Sequence, residues 1–224
     1  MKTIVLASRK GGVGKTTLAA HLAVAAELAG NGPCVVMDTD PQASLAAWWN
    51  ARLHSETPQF SMVTLANLAE KLNFLGQSGF KYAFIDTPPA ITLSISAVIA
   101  HADFVLIPSR PSPHDLRAIG QTVGMVIKAN RPFAFAVTQA KANSRLTTQT
   151  MGSLSEHGIV SPVIVCDRVD FASSMIDGHT VCEIDPKGKS AAEIKELWKF
   201  VAMKVENKTN ADNIGSQNNQ KIAI

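Results

Sequence analysis

The sequence predicts a single α/β domain: a mostly parallel, twisted sheet with helices on both faces. Three observations carry that expectation. About seven short apolar runs alternate with segments of helical spacing, the pattern of parallel strands covered on both sides. A glycine-rich turn, Lys10 to Thr17, separates the first apolar run from the first helical one. Aspartates follow the apolar runs that end at Met37 and Ile85, which puts carboxylates at strand carboxyl ends, where open α/β sheets gather their ligand-binding loops.

The bulk numbers agree. At 224 residues the chain is long enough for one domain with a substantial core. Hydrophobic residues make up 46% and charged residues 17%, which excludes a chain too polar to fold. A net charge of +3 is compatible with nucleic acid or an acidic membrane and selects neither. Cys34, Cys166 and Cys182 form no CxxC pair, so reduced thiols in a cytoplasmic protein are expected. No apolar run approaches a membrane span, and no signal peptide is expected.

The elements follow in order. Thr3–Ser8 reads as a strand and Leu18–Ala29 as a helix, with Lys10-Gly-Gly-Val-Gly-Lys-Thr-Thr17 between them. Strand, glycine-rich turn and helix are the context of a phosphate-binding loop. Gly11, Gly12 and Gly14 let the backbone curl so that N–H groups, Val13's among them, converge on one anion, and the helix adds the positive end of its dipole. Lys15 is placed to reach the β- and γ-phosphates and the Thr16 hydroxyl to ligate Mg²⁺, with Thr17 completing the loop. The standard loop opens on glycine; here Arg9 holds that position and Lys10 follows it.

Cys34–Met37 is a fully apolar strand leading into Asp38-Thr-Asp-Pro-Gln42. These two carboxylates either serve the phosphate site or cap the next helix, with Pro41 in its first turn. Ala43–Leu53 reads as a helix carrying Trp48 and Trp49, which cannot both face one core stripe: either one lies at an interface or both pack at an edge. A short strand within 56–63 and a helix over Thr64–Leu75, with Leu65, Leu68 and Leu72 on one face, come next. Phe80–Ile85 is a strand ending in Asp86-Thr-Pro-Pro89, and Asp86 is the candidate to hold Mg²⁺ through water. Helices over Thr92–His101 and Asp115–Asn130 flank a strand at Asp103–Pro108 and a proline-rich loop, in which Arg110 reads as a solvated surface charge. Phe133–Thr138 and Val163–Cys166 are the last strands, with a helix over Thr147–His157 between them and a short one over Phe171–Gly178 after them. The helix Ser190–Val205 buries Leu197, Trp198 and Val201. Its basic residues, with Lys187, Lys189, Lys195 and Lys199 together, read either as a phosphate-tracking patch or as a solvated face balanced by Glu193, Glu196 and Glu206. Residues 1–206 then form the domain, and 207–224, rich in Asn, Gln and Lys, a disordered tail.

Lys10-Gly-Gly-Val-Gly-Lys-Thr-Thr17 resembles the deviant Walker A motif of the ParA/MinD ATPases, the resemblance extending over roughly residues 1–205. It implies a single P-loop NTPase domain of the small class, without an N-terminal helix-turn-helix domain. It implies that Lys10 is the signature lysine that completes the partner's site in an ATP-bound sandwich homodimer. Asp38-Thr-Asp-Pro-Gln42 is similar to the family's switch I, which makes Asp40 the residue that positions the attacking water and puts Asp38 near Mg²⁺. Asp86-Thr-Pro-Pro89 is similar to switch II. Gln139 and Asp167 occupy the places of the nucleotide-base loops, and the missing Asn/Thr-Lys-x-Asp pattern favours ATP over GTP. Arg168 matches an arginine that contacts DNA or packs on the base loop.

The resemblance further implies ATP and Mg²⁺ as cofactors, non-specific duplex DNA as a ligand, a nucleoid-associated cytoplasmic location, and a ParB-like or cargo-adaptor partner that stimulates slow hydrolysis. Two other classes remain open: a MinD-like ATPase on a membrane, against which the lack of a sustained apolar face in the tail argues, and a metabolic enzyme of the same superfamily.

Overall fold

The computed structural model describes residues 1–89 and 93–220, and for 93, 94 and 207–220 the backbone alone. The expected helix start at Thr92 and the last four residues of the tail lie outside the described residues. Seven strands alternate with helices: β1 Lys2–Leu6, α1 Lys15–Leu28, β2 Cys34–Asp38, α2 Ser44–Asn50, β3 Gln59–Met62, α3 Leu68–Gln77, β4 Tyr82–Asp86 and α4 Leu93–Ile99. Then come β5 Phe104–Ser109, α5 Pro113–Lys128, β6 Phe133–Ala140, α6 Arg145–Ser155, β7 Val160–Cys166, α7 Val169–Ile176, α8 Val181–Ile184 and α9 Lys189–Gln220.

The strands form one sheet in the order β3-β2-β4-β1-β5-β6-β7, and every pairing is parallel. The alternation of side chains along each strand sends successive residues to opposite faces. In β1, Ile4 and Leu6 enter one core and Val5 the other, where Ala7, just after the strand, joins it. The first core lies under α1, α2 and α7–α9 and holds Leu18, Leu22, Trp48 and Trp198. The second lies under α3–α6 and holds Leu68, Val98, Ile119 and Leu154. Two covered faces explain why the strands read as continuous apolar runs.

Several boundaries differ from the sequence reading. The helix expected over 64–75 starts only at Leu68: Asn67 Oδ1 accepts from the Thr64 N–H at 2.7 Å, a local turn that leaves Leu65 outside the helix and exposed. β7 begins at Val160, three residues early, with register shifts against β6. α9 contains the helix expected over 190–205, and its backbone is helical to Gln220. Trp48 is buried and donates Nε1–H to the His179 carbonyl at 3.0 Å. Trp49, half-buried, donates to the Pro58 carbonyl at 2.8 Å and packs on Phe60. Trp48 therefore belongs to the first core and Trp49 packs half-buried against that same core, so neither the interface reading nor the edge reading describes the pair.

Candidate functional site

The parallel register builds the site. Asp38 and Asp86 are paired positions at the ends of β2 and β4, and Asp86 is also opposite Leu6 at the end of β1. The glycine-rich turn leaves β1 at that point, so the loop, both aspartates and the start of α1 share one end of the sheet.

Gly12 and Gly14 hold φ of 70° and 88°, values that L side chains rarely adopt. Gly14 is the N-cap of α1 and offers no side-chain cap, so the first N–H groups of a 14-residue helix are left for another acceptor. The loop is held from outside by β6. The Thr138 hydroxyl donates to the Val13 carbonyl at 2.9 Å, and Gln139 Nε2 donates to the Gly12 carbonyl at 2.7 Å. Drawing those carbonyls outward turns the intervening amides the other way, which is what an anion cradle requires. Gln139, expected at the base loop, therefore touches the loop backbone directly; Thr138 escaped the sequence reading, because a threonine inside a strand carries no distinguishing signal.

Lys15 is buried and donates Nζ–H to the Lys10 carbonyl at 3.2 Å. Burial lowers its pKa, opposed by the charges of Asp86 and Asp40. Lys10 is half-buried, and among the described residues its ammonium donates to none. The Thr16 hydroxyl donates to Asp86 Oδ2. Asp86 is 1% exposed, and its other oxygen, Oδ1, has no partner. Burial first, and then the nearby Asp38 charge, push the Asp86 carboxyl up to about 7 against the opposing pull of Thr16, Lys15 and the Thr87 amide.

Those residues fit Mg²⁺. A hydroxyl and a buried carboxylate with one unpartnered oxygen are the all-oxygen donors that suit a hard cation, whose shell waters and phosphate oxygens would complete. Among the described residues no group of three or more His, Cys, Asp or Glu could hold a metal alone, as expected where substrate phosphates complete the shell.

The two readings of the Asp38/Asp40 pair are separated by geometry. Asp38 Oδ2 accepts from the amides of Leu45 and Ala46 at 2.9 and 3.1 Å, and Oδ1 from that of Asp40 at 2.9 Å. Asp38 thus caps α2 from a distance. Asp40 makes only a local turn, accepting from the Gln42 amide at 3.0 Å, and is half-buried. Its carboxylate remains near Lys15, whose charge it supports.

A cleft of about 190 Å³ opens beside the loop, lined by Gly14, Thr17, Leu18, Gln139, Asp167, Arg168 and Phe171. Arg168 pairs with Glu193 at 2.7 Å, which keeps it at this cleft. Of the four lysines expected to track DNA, Lys187 and Lys189 are exposed. Lys195 donates to the Pro186 carbonyl at 2.7 Å, and Lys199 pairs with Glu196 at 2.6 Å. The structure therefore gathers Lys10 through Thr17, Asp38, Asp40, Asp86, Gln139, Asp167 and Arg168 around one end of the sheet.

Arg110 is not the solvated charge its sequence context suggests. Its Nε and Nη2 donate to the two oxygens of the buried Asp115 at 2.8 and 3.2 Å. Another ion pair, Arg52 with Glu183 at 2.8 Å, ties the turn after α2 to α8.

Comparisons with known proteins agree with this geometry. The chain is 28% identical over 200 residues to the maintenance of carboxysome distribution protein A of Halothiobacillus neapolitanus, covering 85% of this chain and 91% of that protein. It is 29% identical over 216 residues to Protein ParA of Rhizobium radiobacter, covering 89% and 94%. It superimposes on a Cyanothece McdA variant in complex with ATP with a TM-score of 0.70 at 18% identity, over 92% of this chain and 96% of that one. Residues 4–181 match the model of the CobQ/CobB/MinD/ParA nucleotide binding domain, and the chain belongs to that family.

Proposed function

We propose that this protein is a Mg²⁺-dependent ATPase that closes into a homodimer on ATP, binds duplex DNA without sequence preference and distributes a cargo. A ParB-like protein or cargo adaptor would stimulate slow hydrolysis and so release the dimer. The observation that carries this reading is the pair of lysines flanking one glycine cradle: Lys15 buried against the loop, and Lys10 with its ammonium free of partners among the described residues. The relatives named for carboxysome distribution and for ParA support the positioning role, and the relative solved with ATP supports the nucleotide.

In this reading the triphosphate lies over Gly11–Gly14 with the α1 amides and Lys15 around it. The base enters the cleft beside Gln139, Asp167 and Arg168. Mg²⁺, held by Thr16 and Asp86 with Asp38 alongside, would neutralise phosphate charge. Asp40 accepts a hydrogen bond from the attacking water and orients it. Lys10 reaches the partner subunit's phosphates and stabilises charge as it develops.

The test is binding of random-sequence duplex DNA with ADP and with ATP, at fixed moderate salt, for wild type and Lys10→Ala. ATP-dependent binding that weakens as salt rises, and is lost in the variant, supports the reading. No binding with either nucleotide overturns the DNA step, and sedimentation with anionic liposomes would then decide for a membrane.

A further inference from the structure

The first turn of α5 abuts the phosphate loop through an arginine the family reading does not use. Asp115 is 3% exposed, an expensive place for a carboxylate unless it is paired. Arg110 pairs with it side-on, through Nε and Nη2, in the two-bond geometry that fixes both position and plane of a guanidinium. That leaves the far nitrogen, Nη1, which lies 3.9 Å from where a Cβ on Gly12 would sit. Nη1 donates to none of the described residues. The side chain remains 36% exposed, and Nη1 is the atom it brings to the loop at Gly12. The carboxylate is five residues along the chain yet buried in the α5 contact, which makes Asp115 a fixed mount for the arginine.

We propose that Arg110 is a phosphate-binding residue of the nucleotide site, its Nη1 edge donating to the polyphosphate held by the loop, and that Asp115 is the positioning residue that aims it. This rests on the loop being a nucleotide site. The chemistry favours it: the strand ends bring Asp38, Asp40 and Asp86 close to where a polyanion would lie, so even with both lysines and Mg²⁺ counted, one more fixed cation offsets negative charge there. A guanidinium already held in place gives up no rotamer freedom on binding.

The test is titration of mant-ATP, read by fluorescence, against wild type, Arg110→Ala, Arg110→Lys, Asp115→Asn and Lys15→Ala, with a thermal melt of each. The expected result is a Kd raised about tenfold or more in Arg110→Ala. Arg110→Lys, which keeps a charge but loses the fork, should recover part of that. Asp115→Asn should fall between, with Arg110→Ala melting as a folded protein. A Kd for Arg110→Ala within twofold of wild type, while Lys15→Ala loses binding, overturns the proposal and leaves the nucleotide reading standing. Equal weakening in Arg110→Ala and Arg110→Lys, tracking a lowered melting temperature, also overturns it, since that is a folding defect. Unchanged binding in Lys15→Ala would instead sink the nucleotide site itself.

Discussion

Lys15 and His21 lie on the same helix and are both buried, yet burial acts on them differently. Lys15 keeps two carboxylates within reach of its charge, and removing it takes away the one cation that is buried against the loop itself. Lys15→Ala should lower ATP turnover on the order of 10²-fold or more, measured by phosphate release at saturating ATP. His21 has only the Thr17 carbonyl at 2.8 Å, and its Nε2 has no partner. Burial pushes its pKa down to about 4 from 6.5. The unfolded chain therefore takes up a proton that the native protein refuses until the pH is far lower. Stability is unaffected by His21 above about pH 6.5 and falls as pH drops toward 4, by roughly 3 kcal/mol in all. Urea unfolding of His21→Gln should show a shallower decline over that window than wild type. At this scale the lysines, Thr16 and Asp86 were legible because their spacing is the chemistry. Arg110 was not: its partner reads as an ordinary acid in a helix's first turn, and nothing in the sequence says that Asp115 is buried.

Helix α2 shows how an element can depend on a residue outside it. Its formal N-cap, Ala43, sits at φ 52° and has no side chain to give. Asp38, seven residues before Leu45, supplies the cap. Asp38→Ala should destabilise the fold by about 1–2 kcal/mol in urea unfolding, the usual size of a lost cap. The far end of α2 is fixed more firmly. Arg52 donates to Glu183 and to the Gly178 and Thr57 carbonyls, and Gly178, at φ 71°, leaves no space for a Cβ beside the Arg52 backbone. Arg52→Ala leaves Glu183 half-buried without its cation and should cost about 3–5 kcal/mol, more than the cap. The sequence disclosed the elements themselves, since double-sided burial makes each strand apolar throughout. It did not disclose their ends. Leu65 matched the helical period, but the Thr64–Asn67 turn outbid it, and only geometry shows that Asp38 rather than Asp40 caps α2.

For the whole molecule, hydropathy fixed the layers and not the order within them. Seven apolar runs say that a covered parallel sheet forms; nothing in them says that β1 lies at its centre, between β4 and β5. That position is what brings Asp38, Asp86 and the loop together, so the expected meeting of residues far apart in the chain rested on the motifs, while its physical cause is strand order. Gln139 shows the same dependence. Its approach to Gly12 needs β6 to sit two strands from β1.

The strand order also has a bearing on biosynthesis. Of the seven strands β1 is made before the other six, but its two neighbours end at Asp86 and Ser109. A nascent chain that stops short of Ser109 carries the whole phosphate loop on a strand with an unpaired edge. Such a chain should be open to protease and unable to retain nucleotide, and both properties should change only after residue 109 has cleared the exit tunnel. Stalled chains of increasing length, probed by limited proteolysis, would show protection of the loop arriving late. Of the seven strands, the earliest made would be the one that waits longest for both its neighbours.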